Sequence, residues 1–117
     1  MCSGTIYFDL LEAREKYKRR DVVLLRIEQL YPFPAKSLVK SIKPYAKNAE
    51  FIWCQEEPKN MGAWSHVRDY IQWTLDFIKA NNKNVSYIGR APAASPATGY
   101  AKRHVAQQKE ILEKVFN

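Results

Sequence analysis

Three short apolar runs constrain the fold of this chain more than any other feature of its sequence. They are VVLLRI at 22–27, FIWCQ at 51–55 and VSYIG at 85–89, and each is rich in β-branched or aromatic residues. Runs of this kind are typical of strands that are buried on both faces, as in a parallel sheet. The sequence therefore predicts three strands.

Helices are predicted beside and between these strands. The periodicity of the apolar residues places them at 5–19, about 35–45, 64–78 and about 100–116. Because each gap between strands holds a helix, the crossovers are expected to be right-handed and the sheet parallel. We predict one α/β domain over residues 1–117, with a mostly parallel sheet in a three-layer α/β/α arrangement.

The predicted helix at 64–78 has a clear apolar side. The residues expected to face the core are Trp64, Val67, Ile71, Leu75 and Ile78. The residues expected to face solvent or a partner are Arg68, Gln72, Asp76 and Lys79.

The composition excludes several classes of protein. Hydrophobic residues make up 46% and charged residues 26% of the 117 residues, as in a folded domain rather than a disordered segment. No apolar run approaches the roughly 20 residues that cross a bilayer, and no secretory signal is visible, so no membrane partner is expected. Cys2 and Cys54 are predicted to be buried free thiols in a reducing compartment, with a disulfide or a metal pair as the alternative.

The net charge of +7 raises the question of nucleic-acid binding. Much of the excess lies in REKYKRR at 14–20, where the first predicted helix ends. Cations there interact favourably with the negative end of the helix dipole, and aromatic residues are not interleaved with them as a single-strand platform requires. A solvated helix end is the favoured interpretation, with a basic nucleic-acid-binding module as the alternative.

Two adjacent carboxylates follow the second predicted strand in FIWCQEEPKNMGAW at 51–64. Because neighbouring residues of a strand point in opposite directions, the two are poorly placed to share a proton or a metal. We interpret the segment as a structural corner whose carboxylates accept backbone amides from the helix start near 60–62. An acid–base role and an interface with another domain remain open. The corner residues are Glu56, Glu57, Asn60, Gly62 and Trp64, and the glycine suits a positive φ or a close backbone approach.

A glycine-bounded loop before the last predicted helix offers a second candidate site. An anion such as a nucleotide or an acyl-CoA would be stabilised there by backbone amides, the helix dipole and charge. The candidate residues are Arg90, Ser95, Thr98, Lys102 and His104. The favoured alternative is an exposed loop that Pro92 and Pro96 stiffen.

Four motifs occur in order: CSGTIYFDLLEAR, VVLLRIEQLYPFP, FIWCQEEPKNMGAW and YIGRAPAASPATGY. In order and spacing they resemble the C-terminal domain of the decarboxylase component of 2-oxoglutarate dehydrogenase. More distantly, the layout resembles the third domain of transketolase-like enzymes. The resemblance runs from Met1 to the end of the chain. It implies a transketolase C-terminal-like fold whose first strand, truncated at Met1–Ser3, lies between those at 22–27 and 51–55.

The resemblance also implies the chemistry of a parent enzyme. Such an enzyme uses thiamine diphosphate and Mg²⁺ to decarboxylate 2-oxoglutarate and succinylates the lipoyl group of the succinyltransferase component in the citric acid cycle. The family's cofactor lies between two upstream domains across a homodimer interface, so this domain is expected to support the dimer and to bind neither cofactor nor metal. No GDG motif of a metal–diphosphate site occurs in the chain, and no catalytic residue is predicted.

Partners and location are implied in the same way. The expected partners are the upstream domains, a second copy, and the succinyltransferase and dihydrolipoyl dehydrogenase components of the complex, with no nucleic acid. The expected location is the bacterial cytoplasm, or alternatively the mitochondrial matrix.

Overall fold

The structure is a computed structural model that describes residues 1–93 and 101–117, apart from the side chains of residues 101 and 102. Helices and strands alternate along most of the chain. The described elements are α1 (Ile6–Lys16), α2 (Ala35–Ile42), β1 (Ile52–Pro58), α3 (Trp64–Phe77), β2 (Ser86–Arg90) and α4 (Ala101–Phe116). A short 3₁₀ turn, Lys43–Tyr45, follows α2. The chain is therefore an α/β protein, as predicted.

Strands β1 and β2 form a parallel pair, with Ile52 beside Ser86 and Cys54 beside Ile88. Helix α3 forms the crossover between them. The parallel arrangement confirms the prediction for these two strands.

The prediction of a regular strand at 22–27 is wrong. This run makes one parallel bridge, between Cys2 and Arg26. The amide of Cys2 donates to the carbonyl of Leu25 at 2.9 Å, and the amide of Ile27 donates to the carbonyl of Cys2 at 2.8 Å. A strand needs a neighbour along its whole length, whereas Cys2 provides a single bridging residue here.

The first two residues lie between this run and β1. On the β1 side, the amide of Cys54 donates to the carbonyl of Met1 at 2.8 Å. The N-terminal ammonium of Met1 donates to the carbonyl of Ile52 at 2.7 Å. The order across the sheet is therefore 22–27, 1–2, β1 and β2, and the predicted position of the first strand is confirmed.

Helices cover the two faces of this sheet. Successive β1 residues point to opposite faces: Trp53 packs in a core cluster with α2 and α3, whereas Cys54 packs in a second cluster with α1 and α4. The three-layer α/β/α prediction is confirmed.

Helix α3 buries the side that the sequence predicts. Trp64, Val67, Ile71 and Leu75 are buried, and Ile78, just beyond the helix, is half-buried against the same cluster. The predicted outer residues Arg68, Asp76 and Lys79 are exposed, and Gln72 is half-buried.

Helices α1 and α3 end earlier than predicted, and both end in the same way. Lys18 and Lys79 have positive φ angles of 53° and 56°. The next amide then bonds back five residues, from Arg19 to Arg14 and from Ala80 to Leu75. This is the Schellman motif, which usually has glycine at the left-handed position. The predicted end of the first helix at 19 is therefore wrong by three residues, whereas α3 ends one residue before its predicted end at 78.

Candidate functional site

One cleft of about 450 Å³ lies at the edge of the sheet where residues 1–2, the run at 22–27 and strand β1 end. Ligands of α/β proteins usually bind at this edge of the sheet. The cleft is lined by Ser3, Gly4, Leu30, Tyr31, Trp53, Gln55, Glu57, Gly62, Ala63 and His66.

A buried glutamine organises the corner beside this cleft. The side-chain Oε1 of Gln55 accepts the indole N–H of Trp53 and the backbone N–H of Trp64, both at 3.0 Å. Its Nε2 lies 3.2, 2.9 and 2.8 Å from the carbonyls of Glu57, Pro58 and Met61. A side-chain amide has two N–H donors and two acceptor lone pairs, so this side chain bonds to its full capacity within the chain.

The adjacent carboxylates diverge, as predicted. Oε2 of Glu56 lies 3.5 Å from Nε2 of Gln108 on α4. The side chain of Glu57 instead lies against Gly62, on the α3 side of the sheet. The predicted acceptor role of these two glutamates is wrong, because Gln55 accepts the amide at the start of α3. A sequence signal existed: a glutamine at the end of an apolar strand needs several buried partners.

Gly62 meets both conditions that the sequence suggested for it. Its φ angle is 65°. A Cβ at this position would lie 3.0 Å from Oε2 of Glu57 and 3.2 Å from Nε2 of Gln55. Only glycine adopts this conformation readily and leaves room for both side chains.

The other two predicted corner residues connect the corner to its surroundings. Asn60 exchanges two hydrogen bonds with the backbone of Ala93, which donates its N–H at 3.0 Å and accepts at 2.9 Å. Trp64 is buried, and its ring centroid lies 5.4 Å from that of Tyr87. The corner is thereby attached to β2 and to the residues that follow it.

The rim of the cleft carries Tyr31 and His66. Tyr31 is 85% exposed, and Nε2 of His66 lies 2.7 Å from the carbonyl of Leu30. Within the described residues, no group of three or more His, Cys, Asp or Glu side chains is arranged to hold a metal ion. The cleft thus combines an apolar wall with few charged groups.

The predicted anion site lies only partly within the described residues. Ser95 and Thr98 lie outside them, as does the side chain of Lys102. His104 is exposed on α4. The carbonyl of Arg90 accepts the hydroxyl of Tyr87 at 2.8 Å. The anion site therefore stays a prediction.

The two cysteines are buried free thiols, as predicted. Burial raises the pKa of the Cys2 thiol and raises the pKa of Cys54 to about 12. Because the thiolate is the reactive form, neither cysteine is suited to act as a nucleophile near neutral pH.

Comparison with known proteins decides the family. Residues 1–116 match the family described as 2-oxoglutarate dehydrogenase C-terminal. The chain belongs to this 2-oxoglutarate dehydrogenase C-terminal family. Its relatives include proteins named 2-oxoglutarate dehydrogenase E1 component from Brucella anthropi, Brucella ovis and Brucella canis, each 54% identical over 113 residues.

This member of the 2-oxoglutarate dehydrogenase C-terminal family corresponds to a small part of those relatives. The matched region covers 97% of this chain but only 11% of each relative. No helix within the described part of the chain is long and apolar enough to span a membrane. The chain spans about one tenth of the length of these relatives.

Proposed function

We propose that this chain is the C-terminal structural domain of a thiamine diphosphate-dependent 2-oxoglutarate dehydrogenase. In this proposal, upstream domains carry out the decarboxylation and the transfer to the lipoyl group. The observation that supports this proposal is that the side-chain amide of Gln55 forms its hydrogen bonds with the backbone of the corner itself. A polar group that served a substrate would keep donors or acceptors directed into the cleft.

The donor set of the cleft does not suit thiamine diphosphate or Mg²⁺. Mg²⁺ prefers carboxylate, water and phosphate oxygens in an octahedral arrangement. Glu57 is the single carboxylate among the residues that line the described cleft, and Glu56 contacts α4 on the opposite face. We therefore place the cofactor and its metal elsewhere in the parent enzyme.

The proposal includes the partners of such an enzyme. They are the upstream domains of the same polypeptide, a second copy in a homodimer, and the succinyltransferase and dihydrolipoyl dehydrogenase components. The bacterial cytoplasm is the proposed location, which the Brucella relatives support.

The variant Glu57→Gln in the full-length enzyme tests the structural role. It preserves shape and removes the charge, so we expect kcat to stay within about twofold of the wild type, whereas loss of a general acid or base costs about 10²–10⁴-fold. The matched control is Glu56→Gln, which alters the carboxylate on the opposite face. A fall of more than about 100-fold at Glu57 alone, with an unchanged melting temperature, would overturn the proposal.

Binding of the cofactor provides a second test. Calorimetry of this chain with thiamine diphosphate and Mg²⁺ at millimolar concentration should give no saturable heat. One-to-one binding would contradict the assignment of the cofactor to other domains.

A further inference from the structure

One side of α3 presents a row of rings to solvent. Tyr70, Trp73 and Phe77 are 44%, 54% and 61% exposed, although α3 buries its other apolar residues in the core. With His66 they are spaced by four, three and four residues, which places them along one line of the helix. We call His66, Tyr70, Trp73 and Phe77 the aromatic row.

The rings of the aromatic row are held in place before any partner binds. Tyr70 stacks on Phe33 at 5.0 Å between ring centroids and lies 5.4 Å from His66. Trp73 stacks on Phe77 at 5.2 Å. A surface that is ordered in advance loses less conformational entropy on binding.

The aromatic row is continuous with the cleft. His66 belongs to both, because its ring lines the cleft and its Nε2 lies 2.7 Å from the carbonyl of Leu30. Tyr31, which follows Leu30 in the sequence, is the most exposed large apolar side chain among the described residues. The two features form one surface along α3 and the carboxyl edge of the sheet.

The size of the aromatic row indicates what kind of partner covers it. Three rings that are about half exposed, at about 150–250 Å² each, present roughly 300 Å². This is about the size of the largest apolar patch on many monomeric proteins, and such patches are often functional. It is well short of the roughly 800 Å² that each partner buries in a stable complex of two free proteins.

A covalently attached partner needs less area. A tether raises the effective concentration of the partner to about the millimolar range. The chain matches 11% of the length of its relatives, so nine tenths of such a polypeptide is available as a tethered partner.

We propose that the aromatic row docks into an apolar groove on another domain of the same polypeptide. This inference rests on the proposed function, in which this chain is part of a longer enzyme. Asp69 and Asp76 are exposed on the same helix, seven residues apart. Asp69 lies 3.9 Å from the guanidinium of Arg68, but its side chain stays 93% exposed. The groove is therefore expected to have lysine or arginine at its rim, where charge complementarity favours the correct register.

Hydroxyl-radical footprinting of the full-length enzyme tests the proposal. Phe8 is the internal reference, because it is 54% exposed on α1. Normalised for the intrinsic reactivity of each side chain, Trp73 and Phe77 should be oxidised at least fivefold more slowly than Phe8. Oxidation of Trp73 and Phe77 at rates that follow their exposure in this chain would overturn the proposal.

Dilution distinguishes a tethered domain from a second copy. Protection of Trp73 should persist when the full-length enzyme is diluted until it is monomeric. Protection that disappears with dissociation would assign the aromatic row to a second copy and overturn the proposed occupant.

A pair of variants tests the docking by thermal unfolding. Trp73→Ser should separate the melting of this region from that of the remaining enzyme, whereas Phe8→Ser should leave a single transition.

The Glu57→Gln variant separates failure of this inference from failure of the proposed function. If Trp73 and Phe77 are oxidised freely while Glu57→Gln keeps kcat within about twofold, the docking of the aromatic row is refuted and the proposed function stands. If Glu57→Gln alone lowers kcat by more than about 100-fold, the proposed function fails whatever the footprint.

Discussion

At the scale of single residues, one side chain determines the geometry of the corner between β1 and α3. Gln55 is 2% exposed and bonds to three carbonyls and two N–H groups. It also satisfies an amide in the first turn of α3, a group that has no partner within the helix. The corner therefore depends on the amide and not on the neighbouring charges.

The variant Gln55→Leu should lower the free energy of unfolding by more than about 3 kcal/mol, because each buried polar group left unpaired costs about 1–3 kcal/mol. The matched control is Gln29→Leu, at an exposed glutamine that bonds one carbonyl. Its cost should stay within about 0.5 kcal/mol. Urea denaturation measures both values, and equal costs would contradict the central role of Gln55.

Gly62 and Gly4 form a matched pair for separating backbone strain from crowding. Both have positive φ angles, of 65° and 80°. A Cβ would meet Glu57 and Gln55 at Gly62, whereas nothing lies within 4 Å of it at Gly4. Gly4→Ala should therefore cost about 1–2 kcal/mol from the left-handed backbone alone, and Gly62→Ala should cost more. An equal loss of unfolding free energy in the two variants would show that the corner has room for a methyl group.

The sequence identified the corner but assigned its hydrogen bonds to the wrong residues. Alternation along a strand correctly separates Glu56 from Glu57, and it places Gln55 and Glu57 on the same face. It does not indicate that the residue before the pair is the one that reaches the start of α3. That detail depends on the path of the turn at 58–63, which composition alone does not specify.

At the scale of elements, the ends of helices were the least predictable feature. Lysine at 18 and at 79 occupies the left-handed position where glycine or asparagine is the usual signal. The last periodic apolar residues, Tyr17 and Ile78, lie directly before these positions, so the periodicity extends to the residue that caps each helix. The buried side of α3, in contrast, followed directly from the periodicity.

The variant Ile71→Ala tests that buried side. Ile71 is fully buried between sheet and helix in the larger core cluster, so its truncation should cost about 2–5 kcal/mol of unfolding free energy. The control Asp76→Ala, on the outer side of the same helix, should cost much less, because its side chain is exposed. Chemical denaturation that gave under about 0.5 kcal/mol for Ile71→Ala would mean that the cluster is not a packed core.

At the scale of the whole molecule, the alternation of strand and helix patterns predicted the layers and the parallel sheet. It did not predict that the run at 22–27 forms a single bridge, because pairing depends on a neighbour that is remote in sequence. The neighbour of that run is the N-terminus, whose ammonium is buried beside Ile52.

That ammonium makes stability depend on pH. Burial lowers the pKa of the Met1 amine below its ordinary value of 8.0. Between the lowered pKa and 8.0 the unfolded chain binds more protons than the folded chain, so stability should rise as the pH rises towards 8. The urea midpoint should accordingly be higher at pH 8 than at pH 6. N-terminal acetylation removes only this amine, so a rise that is unchanged after acetylation would refute the prediction.

Extension of the chain before Met1 is the last prediction. The run at 22–25 and the start of β1 lie on either side of the position that a preceding residue would occupy. Val22 and Leu24 are half-buried there, against the cluster of α1 and α4. Ten residues from the corresponding position of a Brucella relative should continue the parallel pairing on both sides.

The expected gain is large for a domain of this size. Each kilocalorie per mole raises the melting temperature by about 4 °C, and several buried backbone groups would each gain a partner worth about 1–3 kcal/mol, so a rise of about 10 °C or more is expected. The control is a ten-residue glycine–serine extension, which also converts the Met1 amine to an amide but offers few side chains for burial and little strand propensity. It should flatten the pH dependence with a smaller rise in melting temperature. If both extended chains and the original chain melt together as monomers, Met1 and Cys2 are not part of a longer central strand.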